Sequence, residues 1–177
     1  RLIKLLDERS ADGFVFRVDM RLRPFGESGS LAISVDAMEE YYQRHGREWE
    51  RYAMIKARVV SGDPAAGEAL MERLRPFVYR KYVDFGVFES LREMKAMIQR
   101  EVQRKGMSDN IKLGAGGIRE IEFIGQAFQL IRGGREAALR QRSIISVLKR
   151  LGEMGMFPPF AVDELCRAYR FLRNTEH

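Results

Sequence analysis

The alternation of apolar and polar positions is clearest near the start of the chain. Phe14, Phe16, Val18, Met20 and Leu22 occupy the even positions, and Val15, Arg17, Asp19 and Arg21 the odd ones. A period of two predicts a strand over 14–22 with one apolar face, and with Arg17, Asp19 and Arg21 on the other. Gly13 and Pro24 punctuate its ends. The turn-rich run Arg23-Pro24-Phe25-Gly26-Glu27-Ser28-Gly29-Ser30 follows, and a second, short strand is expected over 31–35.

Beyond this point the period becomes helical. Asp36 and Glu39 have the capping-box spacing. A helix over 47–60 is expected to present Trp49, Tyr52, Ala53 and Lys56 along one face. Ser61-Gly62-Asp63-Pro64 is the best boundary signal in the chain. After it the pattern predicts helices near 66–82, 87–104, 117–132, 143–153 and 161–173, joined by glycine- and proline-bearing connectors. The expected fold class is mainly α with a small α/β part. Residues 1–62 read as the end of an α/β domain and 63–177 as an all-helical domain.

Composition narrows the classes. The chain has 177 residues, a formal charge of +6, 45% hydrophobic content and 32% charged residues, which reads as globular and ordered. No apolar run approaches the roughly 20 residues that a membrane helix needs, and charges interrupt the apolar positions of the N-terminus, unlike a signal peptide. The lone Cys166 excludes an internal disulfide and fits a reducing cytoplasm. With two histidines beside it, the chain has too few ligands for a zinc site of the usual type. The positive balance suits nucleic acid, nucleotide or an acidic protein equally. A start at Arg1 and an amphipathic pattern that runs to His177 without a stop signal lead to the expectation of a piece of something longer.

Three features could carry chemistry. Asp19, between Arg17 and Arg21 with Arg23 close by, is either paired with these arginines on a solvated face or binds a divalent metal while the arginines hold phosphate. The strand pattern places Asp19, Arg21 and Arg23 at a strand end, in or at the rim of a cleft. The run Asn110-Ile111-Lys112-Leu113-Gly114-Ala115-Gly116-Gly117-Ile118 leads into a helix. It is a plain helix-entry loop or an anion cradle to which Lys112 adds a charge. It is neither a P-loop nor a dinucleotide fingerprint. Arg119, Glu122, Gln126 and Gln129 then form a polar stripe on an otherwise apolar helix, so they must pair among themselves or line a site. His45 reads as a surface turn residue, Trp49 and Tyr52 as core, and Cys166 as buried and inert.

Three segments taken together carry a resemblance. Val18-Asp19-Met20-Arg21-Leu22-Arg23-Pro24-Phe25-Gly26-Glu27-Ser28-Gly29 is the first, and Tyr41-Tyr42 with Trp49-Glu50-Arg51-Tyr52-Ala53-Met54-Ile55-Lys56-Ala57-Arg58 the second. Lys112-Leu113-Gly114-Ala115-Gly116-Gly117-Ile118-Arg119-Glu120-Ile121-Glu122-Phe123 is the third. In this order they resemble the bacterial glutamine synthetase adenylyltransferases. The resemblance implies the C-terminal portion of a polymerase-β-like nucleotidyltransferase domain followed by a helical bundle. It implies transfer of AMP from ATP to a tyrosine of glutamine synthetase, and phosphorolytic removal of that AMP as ADP. The segments Leu74-Arg75-Pro76-Phe77-Val78-Tyr79-Arg80 and Tyr82-Val83-Asp84-Phe85 are more similar to the N-terminal, adenylyl-removing half.

By the same resemblance, Asp19 matches the third catalytic carboxylate and a Mg²⁺ ligand, while the first two belong to an Asp-x-Asp motif that the chain lacks. Arg21, Arg23, Lys112 and Arg119 are the implied nucleotide- or phosphate-binding residues, and Arg17 and Glu122 could line the site. Alone, the chain is expected to be inactive. The implied partners are glutamine synthetase, the PII regulatory protein and nucleotide, with no nucleic acid and no membrane. The rival expectation is a helical module that docks glutamine synthetase or PII without catalysing anything.

Overall fold

A computed structural model describes residues 2–11, 13, 16, 18–80, 86–107 and 110–176. The chain divides into two compact units, 1–45 and 46–177. The first contains α1 (Leu2–Asp7) and α2 (Val35–Arg44). The second contains α3 (Glu48–Met54), α4 (Pro64–Val78), α5 (Gly86–Arg104), α6 (Ile118–Arg132), α7 (Ile144–Glu153) and α8 (Pro159–Glu176).

The expected strand over 14–22 falls partly outside the described residues, at 14, 15 and 17. Where it is described it is not a strand. Met20–Leu22 form a 3-10 turn that Asp19 caps by accepting from the Arg21 amide. The reason lies in where the backbone donors go. A strand needs a ladder of neighbouring backbone groups, but the Phe16 amide donates to the Leu6 carbonyl at 3.0 Å and the Val18 amide to Asp7 Oδ1 at 3.1 Å. Among the described residues the only β pairing is an isolated bridge between Ser10 and Gly13. The short strand expected over 31–35 is likewise absent, because α2 begins at Val35. Its cap is Ser34, whose Oγ accepts from the Ala37 amide at 3.2 Å, so Asp36 sits inside the first turn instead of capping it.

The helices of the second unit follow their sequence signals more closely. Asp63 caps α4 by accepting from the Ala65 amide at 2.9 Å, and Pro64 takes the first helical position, where its missing N–H costs nothing. Ser143 caps α7 in the same manner. The helix expected over 47–60 is shorter than its pattern suggested, ending at Met54. Its inward face carries Arg51, Tyr52 and Ile55, while Trp49 is 37% exposed and is not core.

α6 is the hub of this unit. On one side Ile121 packs with Ile144, Val147, Leu148 and Leu151 of α7 and with Val162 and Cys166 of α8. On another, Leu130 packs with Ile55, Val78, Leu91 and Met94. α6 and α7 approach so closely at Gly125 that a Cβ there would collide with the Ile144 side chain. Arg51, with no exposed surface, ties the ends of three helices together. Its guanidinium donates to the Val78 carbonyl at 2.9 Å, to Glu48 Oε2 at 2.9 Å and to the Leu130 carbonyl at 3.1 Å.

Candidate functional site

In the first unit, Asp19 and Arg21 form a two-point pair. Arg21 Nε donates to Asp19 Oδ1 at 3.0 Å and Nη2 to Oδ2 at 2.7 Å. Both side chains reach solvent, at 42% and 72% exposure. The Asp19 hydrogen bond, followed by its charge, raises the Arg21 pKa above the ordinary guanidinium value. Arg23 does something else. Its guanidinium donates to the carbonyls of Met20 at 2.6 Å, Glu27 at 2.9 Å and Gly29 at 3.0 Å, and so folds the 20–29 loop around itself. The loop turns through Phe25 and Gly26, both at positive φ, and the Phe25 ring meets Tyr41 edge-on at 4.6 Å. Asp19, Arg21 and Arg23 thus stand together beside a 3-10 turn and not at a strand end. Arg17 lies outside the described residues.

In the second unit, the glycine run before α6 is a self-bonded turn. Asn110 Oδ1 accepts from the amides of Lys112 and Leu113. The Gly117 amide donates to the Gly114 carbonyl, the Arg119 amide to the Lys112 carbonyl, and the Gly116 amide to Glu120 Oε2 at 2.8 Å. A Cβ at Gly117 would stand 2.6 Å from the Ile111 carbonyl oxygen, which is why this position needs glycine. The loop amides serve the helix entry.

The polar stripe of α6 runs from solvent into the core. Arg119 pairs with Glu122 at 3.2 Å, with 51% of Arg119 exposed and 13% of Glu122. Tyr169 Oη donates to the other oxygen of Glu122 at 3.1 Å. Further along, Gln126 and Gln129 are buried, and Gln129 Nε2 donates to the carbonyls of Leu139 and Gln141. Lys112 pairs with Glu176 at 2.8 Å. Lys56, Tyr52 and Arg173 gather at the same place. Burial pushes the Tyr52 phenol up, with Arg119 opposing and Glu122 adding to the shift. Burial pushes the Lys56 ammonium down, and Glu122 resists while Arg119 and Arg173 reinforce it. The sequence marked Lys112, Arg119 and Glu122. It missed Arg173 and Tyr169, whose only signal was their i, i+4 spacing on an amphipathic helix, and it treated Lys56 only as part of a helix face.

Proteins called bifunctional glutamine synthetase adenylyltransferase/adenylyl-removing enzyme match all 177 residues, at 66% identity in Nitrosococcus oceani, 64% in Pseudomonas putida and 63% in Pseudomonas aeruginosa. The chain is related over its whole length to the glutamine synthetase adenylyltransferases. It spans 18% of the length of these relatives. The family model for glutamate-ammonia ligase adenylyltransferase matches residues 1–73, and the one for GlnD PII-uridylyltransferase matches residues 92–177.

The fit to a metal can be tested on Asp19. Arg21 engages both oxygens of this carboxylate, and among the described residues no three His, Cys, Asp or Glu side chains stand together as a metal site would need. These residues by themselves do not fit a divalent ion. No helix among the described residues is long and apolar enough to cross a membrane.

Proposed function

We propose that the chain is a piece of an enzyme that adds AMP to a tyrosine of glutamine synthetase and removes it again by phosphorolysis, regulating nitrogen assimilation in the bacterial cytoplasm. The observation that carries this is the 63–66% identity over every residue to proteins whose names state both activities. In this reading residues 1–62 close a polymerase-β-like nucleotidyltransferase domain and 63–177 form its helical domain, most like the adenylyl-removing half.

Asp19 would be the one carboxylate this segment contributes to holding Mg²⁺, which would supply charge neutralisation at the phosphate, and the remaining ligands would have to come from elsewhere in the parent protein. Arg21 is the phosphate ligand beside it. A solvent-exposed pair such as Asp19–Arg21 is only weakly held, so the guanidinium exchanges readily onto a phosphate. Arg23 shapes the loop that presents both. Lys112 and Arg119 are the nucleotide- or phosphate-binding residues of the helical domain, with Glu122 beside Arg119, and Arg17 belongs with Asp19 in this reading. The match of residues 92–177 to a PII-uridylyltransferase family model supports PII as a partner of the helical part. It is also the observation that favours the second reading, a docking module without chemistry.

Asp19→Asn in the full-length parent separates the two readings. Measured as ADP released from adenylylated glutamine synthetase in the presence of phosphate, turnover should fall by roughly a hundredfold or more, with the circular dichroism spectrum and melting temperature unchanged. Unaltered turnover would favour the docking module, and a melted variant would make Asp19 structural. Residues 1–177 alone should release no ADP.

A further inference from the structure

The loop that follows Asp19 and Arg21 holds a side chain in a backbone conformation that suits it poorly. Phe25 lies in the left-handed region, at φ 61° and ψ 12°. Among the described residues it is the only non-glycine at positive φ. A bulky side chain is strained there, whereas Gly or Asn would fit with ease. Such strain persists only where the surroundings hold it, and it gathers at functional sites. Burial does not account for the phenylalanine, because 61% of it is exposed.

What the ring does is touch α2. Its centroid is 4.6 Å from that of Tyr41, edge-on, and 5.7 Å from that of His45, which caps the helix C-terminus. Tyr41 is buried and meets Tyr42 at 5.1 Å, so the ring rests on a fixed surface. On its other side the turn bears on Arg21. A Cβ at Gly26 would stand in van der Waals contact with the Arg21 carbonyl oxygen, at 3.8 Å. At Gly29 a Cβ would collide with the Pro24 carbonyl, so the turn is closed on itself and passes a shift along. Arg23 clasps the Met20 carbonyl together with those of Glu27 and Gly29. The Arg21 amide donates to Asp19 Oδ1 at 3.0 Å, so the backbone at residue 21 helps to aim the carboxylate. A path of contacts inside one unit thus runs from α2 through Phe25 to Asp19 and Arg21.

We propose that Phe25 is a positioning residue. Its ring anchors the 20–29 loop to α2, and its left-handed backbone sets the turn that holds Asp19 and Arg21 in place for phosphorolysis. The proposal rests on the catalytic reading of Asp19 and Arg21 above and adds the residue that places them.

The test follows ADP release from adenylylated glutamine synthetase by the full-length parent. Phe25→Asn and Phe25→Gly both relieve the backbone and remove the ring. Each should lower kcat roughly tenfold by misplacing the pair, with KM for adenylylated glutamine synthetase unchanged. Their melting temperatures should stay within about 4 °C of the parent's. Phe25→Tyr keeps the ring and should hold kcat within about twofold, as should Leu31→Ala, which trims an exposed apolar residue beyond the turn. In residues 1–177, Phe25→Asn should also speed hydrogen exchange at the Arg21 amide. Unchanged kcat in both ring-less variants would overturn the proposal, and so would unchanged exchange at Arg21. A raised KM for adenylylated glutamine synthetase would overturn it too, by making the ring a substrate contact. Activity lost only in step with melting would make Phe25 structural. Should the Phe25 variants fail to fold, His45→Ala removes one of the ring's two partners and should give the same signs in weaker form. The two readings fail separately. A fully active Asp19→Asn parent would end the catalytic reading whatever the exchange shows, whereas slow exchange in Phe25→Asn would remove the anchor and leave an Asp19→Asn loss standing.

Discussion

Arg23 and Arg51 do the same chemistry in the two units, and the contrast between them explains how the units differ. Each guanidinium gathers backbone carbonyls. Arg23 reaches residues only 3, 4 and 6 positions away and stays partly exposed, so it shapes one loop. Arg51 reaches carbonyls 27 and 79 positions away with no exposed surface, so it joins separate helices. A polar staple that is local and wet sets a conformation, whereas one that is distant and dry becomes part of the fold's stability. The first unit presents its chemistry on loops of the former kind. The second buries Glu50, Arg51, Gln126 and Gln129 in a helical core.

The largest effect should come from Arg51→Ala. It leaves the Val78 and Leu130 carbonyls without their partner in a dry place, while Glu48 keeps Arg80 at 3.0 Å, and urea unfolding should show a loss of about 2–5 kcal/mol. A loss below about 1 kcal/mol would mean that water replaces the guanidinium and that the contrast with Arg23 is false.

Alkaline pH gives the next effect. The Tyr52 phenol is raised in the folded chain, so the folded state holds its proton where the unfolded state has lost it. That stabilisation is fully present below the unfolded value of about 10 and is lost as pH rises through the higher folded value, at up to about 1.4 kcal/mol per pH unit. Tyr52→Phe should flatten this part of the stability curve. An unchanged slope would move the titrating group elsewhere.

Arg23→Gln should have the smallest global effect, within about 0.5 kcal/mol for the helical unit. Its signature is local, as faster hydrogen exchange at the amides of Gly26 and Gly29, which bond within the loop. A matching fall in the melting of residues 46–177 would show that the loop and the helical unit unfold together.

The sequence was legible wherever punctuation and period agreed. Gly117 ahead of α6, Asp63-Pro64 at α4 and Ser143 at α7 act through their own backbone neighbours, so they can be read locally. The stripe on α6 was legible as a set of groups that need partners, but Tyr169 as the partner of Glu122 was not, because that pairing belongs to helix packing. Arg51 was illegible for the same reason, since nothing local distinguishes a buried arginine from a solvated one. The alternation over 14–22 misled because period two states only what a strand would look like if a neighbour supplied its ladder. Leu6 and Asp7 took the donors at Phe16 and Val18 instead. The site was read best at Asp19 and Arg21, which lie close together in the chain, and least well where separate elements bring Lys112 and Glu176 together.

The reach of Arg51 also sets an order of events. As the chain is synthesised, α3 is made before α6, and Arg51 lacks its most distant carbonyl partner until the end of α6 has come back to meet it. Closing so long a loop costs entropy that no contact repays beforehand. The docking of α3 against α6 thus cannot be completed before Leu130 is made, and a nascent chain that stops short of it leaves the Arg51 guanidinium one partner short.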